Sequence, residues 1–174
     1  MLELRQFRLE AGDTRRVDVP LELEPVILAG NAYQVEPSTV TGRLELQATP
    51  DGLYLHLRFQ CEIAGPCFRC LDPARAAIQV DATEYHEHAP EPGTEDETTS
   101  DYLDEMTLDI ERWARDAMVL GIPGTLLCQP DCRGLCPVCG ANLNGELAHQ
   151  HDQQAVDQRW AKLRELGLNG DTTG

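Results

Sequence analysis

Apolar and polar residues alternate twice in "TVTGRLELQATPDGLYLHLRFQCEI", residues 39–63, and the two runs are separated by Pro50, Asp51 and Gly52. A period of two is that of a strand with one buried face. The interruption carries the residues of a tight turn, so an antiparallel hairpin is predicted. In the second run Leu53, Leu55, Leu57, Phe59, Cys61 and Ile63 share one face, and Tyr54, His56, Arg58, Gln60 and Glu62 the other. Cys61 is thereby read as a small core hydrophobe, not a ligand. A further strand follows in "AAIQVDATEY", with Ala76, Ile78, Val80 and Ala82 facing one way, and "TRRVDVPLEL" predicts an earlier one.

The period then lengthens to that of a helix. Ile110, Trp113, Ala114 and Ala117 recur at helical spacing, with Asp109 or Thr107 as N-cap and Gly121 and Pro123 as the stop. A second short helix is predicted in "QAVDQRWAKLRELG", striped by Val156, Trp160, Leu163 and Leu166. The fold expected is α+β: mainly an antiparallel sheet or small barrel, one or two packed helices, and a C-terminal zinc-knuckle segment. It divides into a β part over 1–88 with a first cysteine pair, an acidic mobile loop over 89–105, an amphipathic helix over 106–127, and a Cys/His segment with the terminal helix over 128–174. One domain overall is expected.

Composition is ordinary, with 41% hydrophobic residues in 174, enough for a core. The start "MLELRQFRLE" has no apolar signal region, and no run approaches the roughly 18 apolar residues of a membrane span. A soluble, cytoplasmic chain without membrane partners is the expectation. Charge changes the picture more. The net charge is -16, and residues 81–127 hold 13 acidic side chains against two basic ones. Apolar periodicity disappears in "EYHEHAPEPGTEDETTSDYLDEM", which predicts an exposed loop. Such a segment repels phosphate backbones and attracts basic surfaces.

The candidate chemistry lies in the cysteines. Cys128, Cys132, Cys136 and Cys139 follow C-x3-C-x3-C-x2-C, and Cys67 and Cys70 form a distant C-x2-C. His149 and His151 stand close behind. Paired cysteines in a chain without a secretory signal point to metal rather than disulfides. Tetrahedral zinc takes four N or S ligands, usually as two close pairs, so one or two structural zinc ions are expected. Three groupings satisfy the spacing. Cys128, Cys132, Cys136 and Cys139 could bind one ion. Cys67 and Cys70 could instead pair with Cys136 and Cys139. The favoured grouping uses all eight: Cys67 and Cys70 with Cys128 and Cys132, and Cys136 and Cys139 with His149 and His151. In an extended segment two histidines separated by one residue face the same way.

No catalytic residue is expected. A deaminase needs H-x-E ahead of P-C-x-x-C, and "YHEHAP" has the wrong order, while Cys136 follows Leu135. Pro73 argues against a redox C-x-x-C opening a helix. No phosphate loop or nucleophile elbow is present, so no small-molecule substrate is expected.

The order "GRLELQ", "LRFQCEIAGPCFRCLDPA", an acidic stretch, "LDIERWARDAMVLGIP", "CQPDCRGLCPVCGANLN" and "RWAKL" resembles the YceD family. The resemblance implies a non-enzymatic factor for accumulation of large-subunit (23S) ribosomal RNA and 50S ribosome biogenesis. It points to Cys67, Cys70, Cys128, Cys132, Cys136 and Cys139. Many similar sequences have C-x-C where this chain has His149-Gln150-His151, an exchange that preserves four ligands and favours two sites. The partner expected is a large-subunit rRNA precursor or a basic large-subunit ribosomal protein, with Arg69 and Arg133 as RNA contacts beside the knuckles. The alternative is a zinc-stapled interaction adaptor whose acidic loop binds a basic client protein.

Overall fold

The long hairpin predicted around Pro50 organises the sheet. The computed structural model describes residues 1–28, 30–89, 98–145 and 149–151. The chain divides into two units, Met1–Cys132 and Arg133–Gly174, and the division falls inside the stretch read from the sequence as one metal-binding segment.

The first unit contains β1 (Leu2–Glu3), a 3-10 turn (Leu4–Phe7), β2 (Thr14–Glu22), β3 (Val26–Leu28), β4 (Asn31–Glu36), β5 (Thr39–Ala48), β6 (Gly52–Pro66), β7 (Pro73–Glu87), β8 (Leu103–Asp104), β9 (Thr107–Leu108) and α1 (Ile110–Leu120). All strand pairs are antiparallel. The β5–β6 hairpin runs from Arg43 opposite Arg58 to Ala48 opposite Leu53. Thr49 locks its turn, its Oγ1 accepting the Gly52 N–H at 3.0 Å.

β6 is the spine of the sheet. Along one edge it pairs with β7 over its whole length, from Gly52 opposite Glu87 to Pro66 opposite Pro73. Its other edge is shared, with β5 on the first half and β4 on the second, and β2 and β3 lie outside these. No pairing among the described residues joins the outer strands, so the sheet is open and not a closed barrel.

Alternation predicts the buried face correctly. Leu53, Leu55, Leu57, Phe59, Cys61 and Ile63 are all buried, together with Leu21, Leu44, Leu46 and Ile78. Each such leucine contributes about 1.5–3 kcal/mol by leaving water, so the sheet face is the principal core. Burial also pushes the Cys61 thiol up, and Cys61 stays apart from both ligand clusters.

α1 covers this face with Ile110, Trp113, Ala114 and Met118. Met118 is fully buried where the sequence reading had placed Ala117, which is half-buried. The Asp109 carboxylate caps the helix by accepting the Arg112 N–H at 3.2 Å. At the other end a Cβ on Gly121 would sit 2.9 Å from the Ile78 side chain, so the glycine lets the helix close onto β7.

A second small sheet, ordered β1-β9-β8, holds the N-terminus against the entry to α1. It takes in the end of the segment expected to be loop, where Ser100 and Leu103 are buried. Strands of two residues are too short to show a period. Residues 90–97 of that loop and the predicted terminal helix lie outside the described residues. Among the described residues no helix is long and apolar enough to cross a membrane.

Candidate metal centre

The β6–β7 connection forms a tight knuckle in the first unit. Cys67 and Cys70 are brought against Cys128 and Cys132, which follow α1. The segment after the helix is held there by its backbone, since the Phe68 N–H donates to the Leu126 carbonyl at 2.7 Å. Cys67 Sγ lies 3.7 Å from Cys132 Sγ, and Cys70 Sγ 3.5 Å from Cys128 Sγ. A tetrahedral zinc with bonds of about 2.3 Å to sulfur separates neighbouring sulfurs by about 3.8 Å. The four thiols therefore have the spacing of a ligand shell. Cys67, Cys70 and Cys132 are buried and Cys128 is partly so.

The second unit builds its own cluster from Cys136, Cys139, His149 and His151. Cys136 Sγ lies 3.1 Å from His151 Nε2, Cys139 Sγ 3.3 Å from His149 Nε2, and the two Nε2 atoms are 2.9 Å apart. The rings meet edge to face, with centroids 4.6 Å apart. The surrounding "GLCPVCGANLN" supplies the frame. Leu135 bridges to Asn142, the Leu143 N–H donates to the Gly134 carbonyl at 2.9 Å, and the Arg133 N–H donates to Asn144 Oδ1 at 2.8 Å. This site is more open: Cys139 and His151 are exposed.

The two knuckles share one backbone design. In the first, the Leu71 N–H donates to the Cys67 carbonyl at 3.0 Å and the Cys67 N–H to the Asp72 carbonyl at 2.7 Å. In the second, Gly140 donates to Cys136 and Cys136 to Ala141, both at 2.8 Å. The leading thiol accepts amides in each. Burial pushes Cys67 up, but N–H groups of Cys128, Cys70 and Arg69 outweigh it and hold the thiol at about 6. N–H groups of Cys139 and Val138 likewise bring Cys136 to about 6, with His149 assisting. Burial pushes Cys70 and Cys128 upward. In each cluster all four ligand atoms lie within 4.8 Å of one another, so each could hold a metal ion. The two groupings are those favoured from the sequence.

The two arginines expected as RNA contacts stand in different units. The Arg69 guanidinium donates to the Cys132 carbonyl at 2.8 Å and so braces the first cluster from outside while remaining exposed. Arg133 is exposed at the start of the second unit. Sequence reasoning missed Phe68, inside the first knuckle, and Leu71, directly after it, which are 71% and 66% exposed. Large apolar residues inside "CFRCL" are the signal that would have found them.

The sequence profile described as "Large ribosomal RNA subunit accumulation protein YceD" matches residues 55–167, which take in both clusters. The chain belongs to the YceD family. An uncharacterized protein of Mycobacterium tuberculosis is 39% identical over 133 residues, covering 74% of this chain and 63% of its own length. A Mycobacterium leprae protein is 34% identical over 103 residues, 58% of this chain and 46% of its own. The maize protein named "Large ribosomal RNA subunit accumulation protein YCED homolog 1, chloroplastic" is 49% identical over 37 residues, 21% of this chain and 13% of its own. The alignments with these relatives thus span less than two thirds of their lengths. No solved structure matches the chain.

Proposed function

We propose that this protein is a cytoplasmic, non-enzymatic factor that supports accumulation of large-subunit (23S) rRNA and assembly of the 50S subunit, with its fold held by two zinc ions. The family match over residues 55–167 carries the reading. In each cluster four protein donors would complete a tetrahedral shell. Catalytic zinc keeps a position for water, whereas structural zinc does not. Cys67, Cys70, Cys128 and Cys132 would hold one ion, and Cys136, Cys139, His149 and His151 the other. Bound zinc would supply cross-linking and the charge that neutralises the thiolates.

The test is deletion of the gene followed by measurement of the 23S to 16S rRNA ratio and sucrose-gradient fractionation. The reading expects a reduced ratio, restored by the wild-type chain, and co-migration of the protein with 50S precursors. An unchanged ratio contradicts it.

A second reading, a zinc-stapled adaptor for a basic client, is favoured by one observation: the 13 acidic against two basic residues of 81–127. The two readings merge if the client is a basic ribosomal protein. A gradient position only among soluble complexes, with rRNA levels unchanged, would favour the adaptor alone.

A further inference from the structure

β7 offers an unused edge. It has 15 residues and, among the described residues, pairs only with β6, and its residues 79–84 line a groove beside α1. The groove encloses about 380 Å³. Val80 and Ala82 line it from the strand, Tyr102, Trp113 and Leu120 from the other side, and Glu84 stands at its rim. Leu120 is 88% exposed, an apolar side chain with nothing over it among the described residues.

The charges in this groove are unbalanced. The Tyr102 hydroxyl donates to Asp116 Oδ2 at 3.3 Å. Glu84 and Tyr102 line the same groove, and burial, then the charges of Asp116 and Glu84, push the phenol above its usual range. Asp116 also meets Arg115 at 3.1 Å, and the Arg112 guanidinium lies over the Tyr102 ring at 5.2 Å. Among the described residues no cation pairs with Glu84. Farther along the strand Asp81 and Glu87 add negative charge, and Asp81 is shared with His56 at 2.6 Å.

A long free edge is a template for another strand unless charge or cover blocks it. Here the guarding charges are carboxylates, which select for a cationic strand. RNA and a second copy of this chain, itself at -16, are both disfavoured by the same field. We propose that the outer edge of β7 takes up an extended, Lys/Arg-rich segment of a protein partner by strand addition, one basic side chain entering the groove between Tyr102 and Glu84. Main-chain pairing provides the affinity in such complexes and side-chain pockets the specificity. An aromatic wall beside a carboxylate suits a guanidinium or ammonium on both counts. The inference rests on the basic-partner reading and names its surface.

The experiment uses the full zinc-loaded chain and fluorescence anisotropy with three labelled probes of about ten units each. One peptide alternates Arg and Val, one is the same peptide with every backbone amide N-methylated and so has the same charge but no N–H donors, and the third is a single-stranded RNA. The Arg-Val peptide should bind at least about tenfold tighter than its N-methylated counterpart, and Glu84→Gln should weaken it about tenfold, as loss of one charged hydrogen bond predicts. Circular dichroism of Glu84→Gln should match wild type, and a more conservative Glu84→Asp should recover part of the affinity. Equal binding of the two peptides, no binding of either, preferred binding of the RNA, or indifference to Glu84→Gln each overturns the proposal. Failure here leaves the rRNA reading standing, because that reading is tested in cells by rRNA levels.

Discussion

Leu71 and Gly140 occupy the same place in the two knuckles, each directly after the second cysteine of a C-x2-C and each donating its N–H back to the first. Both have a left-handed backbone, φ 66° at Leu71 and 74° at Gly140. Glycine adopts this region freely, whereas a side chain there costs roughly 1–2 kcal/mol. The first knuckle bears that cost on a leucine that is two-thirds exposed, so core packing does not explain the choice.

Exchanging the two should therefore be asymmetric. Gly140→Leu should lower the stability of the second cluster by roughly 1–2 kcal/mol. Leu71→Gly relieves similar strain but loosens the unfolded chain by about 0.4–1 kcal/mol, leaving a net change near zero or a small gain. Thermal unfolding of zinc-loaded variants checks both. A loss of more than about 2 kcal/mol in Leu71→Gly would show that the leucine packs in a way its exposure does not reveal.

Breaking either cluster should have effects that stay within its own unit. Cys67 and Cys70 close the β6–β7 connection, and Cys128 and Cys132 fasten the chain after α1 to it. Cys70→Ser should cost roughly 3 kcal/mol or more and lower the melting temperature by about 10 °C, since structural zinc contributes folding free energy directly. Hydrogen exchange should show deprotection of residues 53–63. Cys139→Ser should leave those strands protected, and equal deprotection in both variants would contradict the grouping.

Metal release should occur in two phases. A strong chelator reaches the second cluster through exposed Cys139 and His151, while three of the four thiols in the first are buried. Stopped-flow transfer to a colorimetric chelator should show a fast ion and a slow one, with His149→Ala abolishing the fast phase. A single phase for both ions would argue against the difference in burial.

The acidic stretch can be separated from the knuckles by mutation. Deleting residues 90–97, which remove four carboxylates, should raise nonspecific RNA affinity and weaken binding to a basic protein partner. Arg133→Glu should leave the basic-partner affinity unchanged and reduce 23S rRNA accumulation. Unchanged affinities in the deletion would leave the stretch a solubilising linker.

What could be read from the sequence tracks what repeats along it. β5, β6 and β7 bury one face over ten or more residues, so their period is visible, and α1 shows its stripe and its Asp109 cap. β1, β3, β8 and β9 are two or three residues long and show no period. The sheet-or-barrel alternative turned on which strands pair at the edges, a tertiary question. Spacing identified all eight candidate ligands but allowed three groupings. The choice depends on α1 packing on β7, which returns Cys128 and Cys132 to the β6–β7 connection. The strain at Leu71 was invisible, because nothing in "CFRCL" marks a left-handed residue.

The two-site arrangement is tested most directly by elemental analysis of protein purified without added metal, wild type beside the double variant His149→Ala, His151→Ala. The two clusters of four predict close to two zinc ions per wild-type chain and one in the variant, with the first cluster still filled. One ion in both proteins, or two in both, would contradict it.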